Sequence, residues 1–276
     1  MRVGIFIDIS EDFEAKIRHA SRLGFDFGQL CVWNMDFYTE DNLIKLKALL
    51  KELNFTVTDL WCGWSEPVIW KHPEKYSSLG LVPKEYRAKR LEDLKRGGRF
   101  AYELGVKNII SHTGFIPDDP SAEARVGVVE ALKELCAELK ERGQSFSFET
   151  GEELPLTLSM VIEEIGLDNV GVNFDPANLI SGGRGNPCDA MELLGYKVVG
   201  IHAKDAIPPK YGDFGGKQVQ IGEGRVKFEE LLLMLRDFGY DGDIVIEHEM
   251  YNRPDRDGDI LSAKKYLEEI IARVYN

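Results

Sequence analysis

Short runs of β-branched and aromatic residues alternate with longer amphipathic segments along the whole chain. The strand-like runs are VGIFID (3–8), FGQLCVW (27–33), FTVTDLW (55–61), NIISHTG (108–114), SFSFETG (145–151), VGVNFD (170–175), VVGIHAKD (198–205) and DIVIEHE (243–249). Between them apolar residues recur three and four apart, the period of a helix with one buried face. The pattern is clearest over 121–142, where Val128, Leu132, Leu135 and Leu139 share a face. Pro83 opens the helical segment 83–104, and Gly239 with a polar turn closes FEELLLMLRDFGYDG. Both suit the asymmetry of helix ends, with proline in the first turn and glycine past the last.

Strict alternation of strand and helix argues for a parallel sheet, because parallel neighbours need a crossover that a helix can fill. Eight such units in about 250 residues predict a closed (β/α)8 TIM barrel of class α/β, with 1–276 as a single domain. No GxGxxG follows the first strand, which removes the dinucleotide-binding open sheet. Two connections are long: 65–82 after strand three and 206–227 after strand seven. Both are expected on the C-terminal face, where barrel sites are built.

Composition narrows the function classes. A net charge of −13 disfavours nucleic acid, whose phosphates are met largely by Lys and Arg. No run approaches the 18 or so apolar residues of a membrane span, and the N-terminal strand is broken by Asp8 too soon for a signal peptide. Cys31, Cys62, Cys136 and Cys188 form no CxxC pair, so neither a disulfide framework nor a thiolate zinc site is expected. The expectation is a cytoplasmic protein acting on a small molecule, with no membrane or nucleic-acid partner and homo-oligomerisation left open.

The ends of the later strands carry the chemistry. Glu149, Asp175, His202 and Glu247 stand at or near the ends of strands five to eight, spaced by 26, 27 and 45 residues. The first two intervals are each about one βα unit, and the third is one unit plus the long loop. By period two each of these residues points away from Phe148, Phe174, Ile201 and Ile246, hence inward. Asp175 alone reads equally well as a turn or helix-cap residue, since Asp-Pro is a common way to leave a strand. Taken together, three carboxylates crowded at one depth would repel and be costly to bury unless a cation joined them. Three carboxylates and an imidazole suit one divalent ion, Mn²⁺, Mg²⁺ or Co²⁺ ahead of Zn²⁺.

FET at 148–150, NFDPANL at 173–179, IHAKD at 201–205, IGEG at 221–224 and DGDIVIEHE at 241–249 resemble the xylose-isomerase-like TIM barrels. That superfamily includes sugar and sugar-phosphate isomerases and epimerases, ketose 3-epimerases, inosose dehydratases and type IV endonucleases. The resemblance implies that Glu149, Asp175, His202 and Glu247 are metal ligands and that Glu149 and Glu247 double as an acid/base pair. It departs from the ketose 3-epimerases at Asn178, where they place a His, and at ETGEELP, where they continue in a Pro-x-Asn-Arg pattern. It departs from the endonucleases at Asn178, Gly216 and Gln218, which stand where further zinc ligands belong. One metal is therefore expected rather than three.

The expected activity is metal-dependent isomerisation or epimerisation of a sugar or sugar derivative through an enediolate. Its alternative is dehydration of a keto-sugar or keto-inositol at the same site; a nuclease and a non-catalytic sugar-binding barrel are weaker readings. Candidate substrate contacts are His112, Asn178, Lys204, Trp33, Trp64 and Arg225. Each has a plainer reading: His112 as a buried structural residue, the tryptophans as packing, Lys204 as a salt bridge to Asp205 or Glu223. SGGRGNP at 181–187 lacks the Lys-Ser/Thr ending of a phosphate loop and reads as a loop, and His19, His72 and His248 read as surface or structural.

Overall fold

The computed structural model describes residues 1–10 and 12–275. Its strands are β1 (Val3–Asp8), β2 (Phe27–Val32), β3 (Thr56–Cys62), β4 (Asn108–Ser111), β5 (Ser145–Glu149), β6 (Val170–Phe174), β7 (Val198–Ala203), β8 (Asp205–Ile207), β9 (Lys217–Val219) and β10 (Ile244–Ile246). The helices are α1 (Phe13–Arg22), α2 (Glu40–Leu53), α3 (Lys75–Ser78), α4 (Lys84–Leu104), α5 (Glu123–Glu141), α6 (Pro155–Ile165), α7 (Pro176–Ser181), α8 (Pro187–Leu194), α9 (Phe228–Asp237) and α10 (Arg256–Tyr275). Eight strands close in the order β1-β10-β7-β6-β5-β4-β3-β2. Their pairings are parallel, as in β1 with β10, β10 with β7 and β4 with β5. The fold is the (β/α)8 barrel that the alternation requires.

Packing divides the chain into two compact units. The first comprises Met1–Ile5, Glu149–Ser159 and Val172–Asn276, the second Phe6–Phe148 and Met160–Gly171. In the second unit α5 buries Val128, Leu132, Leu135 and Leu139 completely, the face its period marked. In the first, the stretch of β6 from Val172 to Phe174 is buried at every position, the run expected of a strand covered on both faces.

Differences from the sequence reading lie at strand ends and in the long loops. Strand seven stops at Ala203, because Asp205 opens a separate antiparallel hairpin of β8 and β9 that runs into the loop 206–227. The last barrel strand is only three residues long, so Glu247 lies just past it. The loop 65–82 contains the short α3. Its end is locked where Gly80, at φ +62°, approaches the backbone of Thr113 so closely that a Cβ would lie 2.0 Å from the Thr113 carbonyl carbon. Only glycine combines that dihedral with that approach.

Candidate metal centre

All four strand-end residues fall within the first unit, and each is placed by its own element. Glu149 closes β5 and His202 lies inside β7. Glu247 follows β10, its N–H donating to the Ala203 carbonyl at 3.1 Å. Asp175 is the N-cap of α7, with one oxygen accepting from the N–H groups of Ala177 at 2.8 Å and Asn178 at 2.9 Å. The capping reading of Asp175 holds for one oxygen and leaves the other for the cluster. Oδ1 caps the helix, whereas Oδ2 lies 3.9 Å from His202 Nδ1 and 3.7 Å from Lys204 Nζ. Thr150 fixes the residue further, its hydroxyl accepting from the Asp175 N–H at 2.8 Å and donating to the Asp175 carbonyl at 2.9 Å.

One ligating atom from each of Glu149, Asp175, His202 and Glu247 can be chosen so that all lie within 4.8 Å of one another. None of the four is more than 6% exposed. His202 Nδ1 lies 3.3 Å from Glu149 Oε1 and 3.1 Å from Glu247 Oε2. Three buried acids and an imidazole converging so closely could hold a divalent ion that prefers oxygen and nitrogen.

The electrostatics carry the same strain. Burial raises the Asp175 carboxyl most, Lys204 pulls it down, Glu247 and Glu149 raise it, and together they leave it at about 8. Burial also opposes ionisation of Glu247, but the charges of Lys204 and His202 win and hold it below the usual carboxylate range. Burial disfavours charge on His202 as well, yet Glu149 and Glu247 raise it well above an ordinary imidazole. A +2 charge among these groups would take over the compensation that protons and Lys204 supply.

Two further candidates join the cluster. Asn178 Nδ2 donates to Glu149 Oε1 at 3.0 Å, and Lys204 Nζ lies 3.2 Å from Glu247 Oε2. Lys204 also pairs with Glu249, so its partners are not Asp205 or Glu223 as its plainer reading had it. Asp205 instead accepts from the N–H groups of Gly222, Gly224 and Val226, which ties IGEG to the start of β8. A Cβ on Gly224 would lie 2.0 Å from the Asp205 carboxylate, so that loop needs glycine there. Arg225 lies elsewhere, lining a cavity of about 480 Å³ with Asn186, Cys188 and Lys227. Gln218, unremarked in sequence except as a missing ligand, donates to the Glu247 carbonyl at 3.0 Å and accepts from the Glu249 N–H at 3.1 Å. Its amide thus clamps the segment bearing Glu247, a contact across 29 residues that no local pattern announces.

In the second unit, Trp33, Trp61, Trp64 and Trp70 pack together, with Trp33 ring centroids 4.7, 5.3 and 6.3 Å from the other three. His112 is buried and sets its ring against Trp61 at 5.7 Å and Trp70 at 5.6 Å. His248 is buried against Arg256 and Asp259, in keeping with a structural role. Among the described residues no helix is long and apolar enough to cross a membrane.

Comparison with known proteins places this geometry. A xylose isomerase domain protein from Planctomyces limnophilus superposes with a TM-score of 0.93 at 29% identity, covering 99% of this chain and 98% of that one. The L-ribulose-5-phosphate 3-epimerase UlaE of Escherichia coli is 24% identical over 267 residues, 94% of this chain and 89% of that protein. A xylose isomerase-like TIM barrel protein from Mycobacterium smegmatis, solved in complex with magnesium, shares the fold at a TM-score of 0.75 and 16% identity over 99% of this chain and 98% of that one. The family model for the xylose isomerase-like TIM barrel matches residues 17–270, and with the barrel and its four converging donors, the chain belongs to that family.

Proposed function

We propose that the protein is a divalent-metal-dependent epimerase or isomerase acting on a sugar or sugar derivative, with Glu149 and Glu247 as its acid/base pair. The observation that carries this reading is the convergence of Glu149, Asp175, His202 and Glu247 from four barrel strands into one buried donor set. The name of the 24%-identical relative, a 3-epimerase of a ketose phosphate, supports sugar epimerisation as the reaction class. When bound, a divalent cation polarises the substrate carbonyl and so acidifies the neighbouring C–H. The residues do the rest. One glutamate oxygen takes the α-proton and the other glutamate returns a proton to the same carbon, which inverts it if the two approach from opposite sides. Asn178 orients Glu149 through the 3.0 Å hydrogen bond, and Lys204 keeps Glu247 ionised and ready to accept.

The test is exchange of the α-proton for deuterium, followed by NMR in D₂O across ketoses, keto-inositols and sugar phosphates with Mn²⁺ present. Exchange without water loss is expected; elimination products would make the protein a dehydratase instead. Glu149→Gln and Glu247→Gln keep an oxygen but cannot shuttle protons, and each is expected to lose turnover by on the order of 10² or more while substrate binding survives. One of the two variants remaining near full activity would remove the two-glutamate mechanism and leave the metal centre standing.

A further inference from the structure

The first unit holds a cavity of about 480 Å³ that shares no lining residue with the metal centre. It opens between the end of α7, the first turn of α8, the residue after β8 and the segment leading into α9. That volume lies within the roughly 300–1,000 Å³ of small-molecule sites. Ile180, Pro187 and Pro208 give it apolar wall. Cys188 extends that wall as a neutral thiol, because burial pushes its ionisation up and the charge of Glu230 pushes the same way.

The polar side chains of the lining present donors. Arg225 is exposed, and its guanidinium makes no ion pair or hydrogen bond among the described residues. Asn186 commits its amide oxygen to the Cys188 N–H at 2.9 Å as the cap of α8, which leaves its NH₂ to donate. Lys227 pairs with Glu230 at 3.0 Å, and an ammonium has further protons to offer. Among the described residues no carboxylate lines the cavity.

Donors set over an apolar wall select an anion with an apolar body. A cation would meet Arg225 and Lys227, and a polyol would find no side-chain carboxylate to accept from its hydroxyls. Among anions, charge decides. Glu230 already neutralises Lys227, so Arg225 is the lining charge that lacks a counter-charge. A carboxylate brings one negative charge, whereas a phosphate monoester brings about 1.5 to 2 near neutral pH. On a chain of net charge −13 the surplus is unfavourable. The planar guanidinium also matches the two oxygens of a carboxylate in a bidentate pair. A bare inorganic anion would leave the apolar wall in water.

We propose that this cavity binds a small monocarboxylate with an apolar body, its carboxylate held by Arg225 and Asn186 and its body seated on Ile180, Pro187 and Pro208. The inference does not rest on the metal centre. The full chain, one sample treated with chelator and one loaded with Mn²⁺, is titrated calorimetrically with benzoate and with hexanoate. Saturable binding of at least one of them is expected, with the same affinity in both samples. The matching amides, benzamide and hexanamide, keep the body and lose the charge, and are expected to bind roughly tenfold more weakly or worse. Arg225→Gln breaks no side-chain contact of the folded chain and is expected to weaken the carboxylate roughly tenfold or more, as the loss of a charge-assisted pair implies. Arg225→Lys is expected to recover part of that loss, since it keeps the charge without the fork. Cys188 supplies a second readout, because Cys31, Cys62 and Cys136 are buried and it is not. Saturating carboxylate is expected to slow its alkylation by N-ethylmaleimide. Absence of saturable binding, equal affinity in Arg225→Gln, an unchanged alkylation rate or binding that requires Mn²⁺ overturns the proposal. So does phenyl phosphate binding more tightly than either carboxylate.

Discussion

The two units concentrate their polar chemistry in opposite ways. In the first, three acids, an imidazole and an ammonium are buried against one another, with Asp175 and His202 wholly out of solvent. In the second, four indoles pack together, and the charged groups Glu66 and Lys89 stay exposed beside them. Buried like charges are costly unless compensated, so the first arrangement favours a compensating positive charge. Exposed charges beside aromatic rings are already solvated, so the second carries no such uncompensated charge. Each arrangement is broken by a different kind of change.

The largest expected effect is in the first unit. Asp175→Ala removes a donor and a helix cap together, and metal retention is expected to vanish while the far-UV spectrum and tryptophan emission stay unchanged. Metal analysis showing one ion per chain in that variant would reduce Asp175 to its capping role. The corresponding change in the second unit is Arg90→Met, which strips four carbonyls of their donor. It is expected to cost about 2–4 kcal/mol in urea unfolding and to change tryptophan emission, leaving metal content per folded chain intact. Loss of metal in Arg90→Met would show that the two units are coupled, and the contrast between them would fail.

Smaller changes sharpen the contrast. Gln218→Ala unclamps the segment 247–249 and is expected to lower metal affinity roughly three- to tenfold, the worth of one or two hydrogen bonds, without moving tryptophan emission. The last expected effect is one of pH. Burial pushes Asp175 up to about 8, above the ~3.9 of an unfolded aspartate, so folding favours its protonated form. That contribution is fully present below about pH 4 and is lost as pH rises to about 8. In chelator, Asp175→Asn keeps a capping oxygen and removes the titration. Its melting temperature is therefore expected to gain on the parent between pH 5 and 8, by about 2–4 °C for each kcal/mol involved. A constant difference across that range would assign the strain to another member of the cluster.

Much of this was written in the sequence, and the reason is periodicity. Val128, Leu132, Leu135 and Leu139 mark a buried face because the helix repeats every 3.6 residues, and Glu149 and Asp175 mark inward positions because strands repeat every two. A barrel repeats one unit, so four polar residues at equivalent strand ends converge wherever the strands close. What lay outside the sequence is what periodicity does not govern. The hairpin of β8 and β9 interrupts the unit, and Gln218 reaches Glu247 across 29 residues through a register that only the folded loop sets. Lys204 adjoins Asp205 in sequence, yet the twist of the chain leaving β7 sends the two side chains to different partners, the Lys to Glu247 and Glu249 and the Asp to the amides of IGEG. Arg90 is one of many basic residues on a helix whose charges alternate; that it is buried beneath four carbonyls follows from the path of the loop 65–82, not from its own neighbours. Sequence alone determined the barrel and the depth of its donors, because both follow from local repeats. Tertiary structure alone decided how those donors are clamped and where the tryptophans meet, because those contacts depend on loops whose paths no repeat constrains.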